Sequence, residues 1–339
     1  MNRKHVNRRD FIRQATVAGI GAAFLGGKGM AQPKQPGWFK KRGTVIRVIH
    51  SGALNKDGTA NPEIVQVMID RGLCELTGAK KIEEAWSRFA GPNDVVGLKI
   101  NTLGLDSIAR TRHVSHFHAV TGALANGLVK ANVNRNNIVI WDRNLSDLGR
   151  ANFSGTGSGT VQCRGGREEG VEEKPFKVGG KNAYLYKMLT QRTSALVNVC
   201  LAKSHEISGI TGALKNHYGS IDNPDDFHEN GCTGPGIPEL NAIEPVRSKE
   251  RLIVMDALYS VIEGGPDWSL DFMKKTNAIL FSTDPVATDA VLLDAIDKLR
   301  REIRMDSLVE KARFLKLSAD LGLGERNLSK INLVEIKLG

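Results

Sequence analysis

Residues 95–142 read VVGLKINTLGLDSIARTRHVSHFHAVTGALANGLVKANVNRNNIVIWD. A β-branched run, Val95–Ile100, is followed by a segment of helical period over about residues 115–130, and that by a second β-branched run, Ile138–Trp141. Strand, helix and strand in that order mark an α/β fold with a parallel sheet. The alternation recurs on both sides. Further strands are expected at residues 44–49, 195–201, 252–255, 278–281 and 331–336. Helices are expected at about 62–77, 82–89, 182–190, 210–217, 285–298 and 307–320, the first opened by Asn61 as cap and Pro62 at its first position. The expected fold is α/β, with a largely parallel or mixed central sheet flanked by helices.

Two stretches do not read as helices. Residues 144–180 hold the glycine-rich run Ser154 to Thr160, which lacks the Walker spacing and a full Gly-x-Gly-x-x-Gly and reads as a flexible loop or lid. Residues 219–248 are rich in Asp, Pro and Gly, and long loops of this kind are usually functional. The body, residues 44–339, reads as a single domain or as two lobes dividing near 150–180.

The chain has 339 residues, a formal net charge of +10, 41% hydrophobic and 25% charged residues, which is an ordinary globular composition and excludes disorder, collagen and coiled coil. About half of the positive excess lies in residues 1–31, where Arg3, Lys4, Arg8, Arg9, Arg13 and Lys28 face only Asp10. The remainder is too mild and too scattered for a nucleic-acid partner. Arg8-Arg9 precede an apolar stretch from Ala15 to Gly27 and the small residues before Gln32, the pattern of a twin-arginine export signal over 1–31. That stretch is far short of a membrane span. Residues 32–43 then read as a basic linker, and the expected location is the periplasm. The twin-arginine route carries folded cargo, often with a cofactor already inserted.

Four cysteines, Cys74, Cys163, Cys200 and Cys232, include no Cys-x-x-Cys, so a ferredoxin-type or zinc-ribbon motif is absent. In open α/β sheets, ligands bind beyond the carboxyl ends of the strands. Those ends carry Lys99 and Asn101; Asp142 and Arg143; Lys203 and His205; Asp256; and Ser282 with Asp284, the last read as a helix cap. Six histidines fall in two groups, His113, His116 and His118, then His205, His217 and His228. Imidazoles with Cys232 and aspartates nearby suit a transition metal, so His205, His217, His228 and Cys232 are the candidate ligands. The alternative places His113 and His116 on a solvated helix start and His217 at a helix C-terminus, where the dipole favours it. Lys203 follows an apolar strand, where burial would lower its pKa. The glycine-rich start of the helix carrying Lys215 and Asn216 leaves backbone N–H groups free for a carboxylate or phosphate.

At these residues the chain resembles the family catalogued as domain of unknown function 362. The resemblance runs through Val95–Asn101, Ile138–Asp142, Lys203-Ser-His205 with Gly209 to Gly219, Val254–Asp256 ahead of Glu263–Pro266, and Ser282–Asp289. It implies an α/β fold and association with iron–sulfur modules, but no defined reaction. Unlike the longer members, this chain has no ferredoxin-like Cys-rich segment. A fainter similarity in the order His205, Gly209, Gly212, Lys215 is to lactate racemases that use a nickel pincer cofactor.

The expected function is that of an exported protein acting on a small anionic substrate. Lys99, Asn101, Asp142, Lys215 and Asn216 would bind it, and His205, Lys203 and Asp256 would do chemistry, with a suspected transition metal. The alternative is a non-catalytic periplasmic accessory that binds a metal centre or a redox partner protein.

Overall fold

A computed structural model of the chain describes residues 38–109, 111–154 and 161–339. The export-signal reading of residues 1–31, the linker up to residue 37 and most of the glycine run at 154–160 lie outside the described residues. Residues 38–339 form one compact unit.

Local chemistry explains where the elements start. Asn61 accepts from the N–H groups of Glu63 and Ile64 at 3.1 and 3.2 Å and so opens helix α1, Pro62–Thr77, which Gly78 closes at φ 72°. Helices α2, Ile82–Ser87, and α3, Ser115–Lys130, pack beside it, and α4 covers Leu145–Arg150. Asp284 caps the long helix Pro285–Glu302 by accepting from Ala287 at 2.8 Å, as the sequence implied.

Strands β1, Thr44–His50; β2, Val96–Lys99; β3, Ile138–Asp142; and β4, Gln162–Gly165, join β7, Ala195–His205; β9, Glu250–Val261; β10, Met273–Ser282; and β11, Asn332–Leu338, in one sheet. The order is β11-β1-β10-β9-β7-β2-β3-β4, with the two-residue strand β8, Gly209–Ile210, paired to β7. A separate hairpin is formed by β5, Phe176–Val178, and β6, Lys181–Ala183. Every pairing in the sheet except β1 with β10, β10 with β9 and β7 with β8 is parallel. The expected mixed, mostly parallel sheet is therefore the observed one.

Alternation along the central strands separates two apolar layers. Val197, Val199 and Leu201 face the side of α1 and α3, while Leu196, Cys200 and Ala202 face the opposite layer, which holds the helix after Asp284. With about 1.5–3 kcal/mol for each buried large aliphatic side chain, these two layers dominate the stability of the body.

Several expectations fail locally. Residues 182–190 are not a helix; the stretch holds β6 and the start of a π-helical turn, Met188–Arg192. Of 307–320 only Phe314–Asp320 is α-helical. Strands β7, β9 and β10 outrun their apolar cores because polar residues such as Lys203, Asp256 and Ser260 are themselves buried in the sheet. The segment read as linker is docked from residue 38 onward. Trp38 lies over the Arg251 guanidinium at 3.6 Å, and Lys40 Nζ donates to the Glu250 carbonyl at 2.7 Å.

A cleft at the switch point of the sheet

From β2 the chain winds outward to β3 and β4, then returns to the other side of β2 as β7 and moves on to β9. Connections leaving β2 and β7 therefore part in opposite directions, and a crevice opens at their carboxyl ends. It is a cleft of about 430 Å³, lined by Lys99, Asn101, Asp142, Lys203, His205, Lys215, Asn216 and His228 among others. Eight of the eleven candidates named from the sequence thus meet in one place.

On the β2–β3 side the polar groups are saturated. Lys99 Nζ donates to Asp142 Oδ1 at 2.6 Å, to the Ile100 carbonyl at 2.6 Å and to Asn216 Oδ1 at 3.2 Å. Asp142 Oδ2 accepts from the Thr102 N–H and hydroxyl at 2.6 and 2.7 Å. Burial alone would raise the Asp142 carboxyl, but Lys99 and the two Thr102 donors outweigh it and hold it below the usual range. Asn216 Nδ2 is spent on the Lys99 carbonyl and Asn198 Oδ1. Lys99, Asp142 and Asn216 consequently build the wall rather than reach for a ligand. Asn101 differs, since among the described residues only its Oδ1 is engaged, by the Leu103 N–H at 3.2 Å.

On the β7 side they are not saturated. Lys203 is 1% exposed and forms no ion pair among the described residues. Its Nζ donates to the carbonyls of Leu103 at 3.0 Å and Pro266 at 2.5 Å and stands 5.8 Å from the Trp268 ring centroid. The Pro266 carbonyl reaches it because residue 265 is glycine. A Cβ there would lie 1.8 Å from the Ser204 carbonyl oxygen. Burial pushes the Lys203 amine down to about 7. Lys215 also forms no ion pair among the described residues; its Nζ meets His228 Nε2 at 3.1 Å and lies 4.1 Å from the Tyr218 ring centroid. Burial brings it down to about 8.

The histidines sort by their partners. His205 Nδ1 accepts from the N–H groups of Ile207 and Ser208 at 3.1 and 3.4 Å, so its proton resides on Nε2. Burial, reinforced by Lys215, drives its pKa to about 2, and the ring stays neutral. It is a hydrogen-bond donor and not a base. His228 donates from Nδ1 to the Pro224 carbonyl at 3.0 Å and stacks on His205 with centroids 6.2 Å apart.

Three candidates lie elsewhere. His217 is fully buried, with Nε2 bonded to Glu250 Oε2 at 2.9 Å and Nδ1 to Ser220 at 3.3 Å. Asp256 sits within β9 and pairs with His116 Nδ1 at 2.5 Å. His116 is 1% exposed, so the expected solvated helix start is wrong for it. Cys232 is buried near Tyr218, where burial raises its thiol. Ser282 and Asp284 close an antiparallel strand and therefore lie at the opposite edge, where Asp284 Oδ2 accepts from Gly43 at 2.8 Å.

The helix start expected to hold a ligand anion is already occupied by a carboxyl group of the chain. In the short helix Gly212–Asn216, the N–H groups of Ala213 and Leu214 donate to the two oxygens of Asp289 at 2.6 and 3.0 Å. Gly212, at φ 57°, admits that carboxyl, since a Cβ would stand 2.2 Å from Asp289 Oδ1. Burial pushes Asp289 up to about 8, against the pull of the two amides.

The expected transition metal does not fit these donors. His205 presents a proton at Nε2, His217 is occupied by Glu250, and His228 is engaged at both nitrogens. Among the described residues no three His, Cys, Asp or Glu side chains converge as a metal-holding group. Nickel meets the same objection.

Among the lining residues, sequence reading names Arg143 at its strand end without a role and passes over Thr211, Tyr218 and the Pro266 carbonyl. Thr211 lines the cleft, is 5% exposed, and its Oγ1 has no hydrogen-bond partner among the described residues. Only Arg143 carried a usable signal, directly following Asp142 at the end of β3.

No helix among the described residues is long and apolar enough to cross a membrane. Residues 96–294, more than half of the chain, match the family described as Domain of unknown function (DUF362). No curated protein matches the chain, and no solved structure does.

Proposed function

The chain belongs to the DUF362 family, and on that footing we propose that it is an exported protein whose switch-point cleft binds a small carboxylate or phosphate and acts on it through Lys203. One observation carries the reading: two lysines, 1% and 7% exposed, face one cleft, and among the described residues neither forms an ion pair. A buried ammonium is costly without a counter-charge, and a bound anion supplies one. Lys215 and the Nε2–H of His205 would hold it, with the unpartnered Thr211 hydroxyl and Asn101 amide as neutral donors. Lys203, near half-deprotonated at neutral pH, would take a proton from the bound molecule.

A melting-temperature screen with acetate, pyruvate, citrate and orthophosphate tests the binding. A ligand at 100 times its dissociation constant stabilises by about 2.7 kcal/mol, so a true ligand raises Tm clearly. No rise with any small anion would overturn the reading and favour a partner-binding accessory. Export is tested separately: replacing Arg8 and Arg9 by Lys should leave the protein in the cytoplasmic fraction.

A further inference from the structure

The nitrogen that would take a proton has the setting of a nucleophile. A neutral lysine amine has two N–H bonds and one lone pair. In Lys203 the two carbonyls of Leu103 and Pro266 match the two N–H bonds, which leaves the lone pair as the only valence not engaged. The residue nonetheless lines the cleft. Trp268, 2% exposed, stands with its ring centroid 5.8 Å from Nζ. No ion pair among the described residues holds the amine in its protonated, unreactive form, and burial, against the more distant charges of Asp267 and Asp142, lowers it to about 7. A cation stands in the same cleft, Lys215, itself without an ion pair among the described residues.

We propose that Lys203 condenses with the carbonyl group of a 2-oxo acid, holding it in the cleft as an imine while Lys215 pairs with the acid's carboxylate. This rests on the reading that the cleft binds small anions, and it names their class. The Lys203 nitrogen bonds to the carbonyl carbon as the C=O π pair moves to oxygen. That oxygen takes one proton from solvent and one from the nitrogen and leaves as water. The iminium keeps the second N–H, which stays on one of the two backbone carbonyls. No oxidant or reductant enters. The iminium then draws electrons from the adjacent carbon, the general use of such adducts in proton abstraction or carbon–carbon cleavage.

The test is trapping. Mature protein is incubated near neutral pH with pyruvate and cyanoborohydride, digested and mapped by mass, with Tm in pyruvate read in parallel. The expected result is a reduced pyruvate adduct on Lys203 at least about tenfold above any surface lysine, because an ordinary lysine is almost wholly protonated at that pH. The K203R variant should lose that adduct and keep the surface background. A pyruvate-dependent Tm rise with Lys203 unmodified would overturn the imine and leave the binding site standing. Neither a rise nor an adduct would overturn both.

Discussion

Lys99 and Lys203 end neighbouring strands of one sheet, are equally buried at 1% exposure and line one cleft, yet they are opposite in kind. Lys99 has a carboxylate at 2.6 Å and spends three donors on protein. Lys203 has backbone carbonyls and, among the described residues, no ion pair. One is a fixture of the wall; the other is a charge the fold tolerates only partly. Burial of a lysine therefore says little about its role until its partners are counted.

The contrast can be broken most forcefully at Lys99. Lys99→Met strands the Asp142 carboxylate in the interior and should cost about 3–5 kcal/mol, read by urea unfolding. A loss below about 1 kcal/mol would mean that the wall is not built on this pair. Asp289→Ala removes the acceptor of two backbone N–H groups and should cost about 1–3 kcal/mol, with any anion affinity reduced because Lys215 sits in that segment. Lys203→Met should go the other way, holding or raising Tm while abolishing stabilisation by small anions. Loss of stability there, comparable to that at Lys99, would erase the distinction.

The pH dependence sharpens the same contrast with smaller effects. Lys203 is lowered from 10.5 to about 7, so its contribution to stability is full above the unfolded value and is lost as pH falls through about 7. Stability of the wild type should therefore gain between about pH 7 and 10 relative to Lys203→Met. Asp289 is raised from 3.8 to about 8, so its contribution is full below the unfolded value and is lost as pH rises through about 8. Asp289→Asn should flatten the decline between about pH 4 and 8. Smallest of all is His205→Ala, whose ring contributes one donor to the cleft; Tm should move little while anion affinity falls roughly tenfold, about 1.4 kcal/mol.

The strand–helix–strand rhythm and the edge where polar residues gather were legible because both depend on local order along the chain. The site's inner logic was not. Nothing in the spacing tells that His217 turns to Glu250, or that Asp256 meets His116 across 140 residues. The run Gly209 to Lys215 read as a cradle for a ligand anion; its occupant is instead a carboxyl group from position 289, far along the sequence. Strand direction decided the remaining error. Ser282 and Asp284 end β10, which runs against its neighbours, and a residue's place at a strand end has no meaning until that direction is known.

Asp289 carries one more consequence. A loop that waits for a ligand's charge must be ordered by that ligand, and part of the binding free energy goes into fixing it. Here the Lys215 segment is tethered by a carboxyl group belonging to the same chain, whose local concentration never changes. Empty and filled clefts should therefore share one backbone arrangement, and the segment should hold its shape in dilute buffer and in strong salt alike. Selectivity among ligands would then come from their fit to a rigid mould.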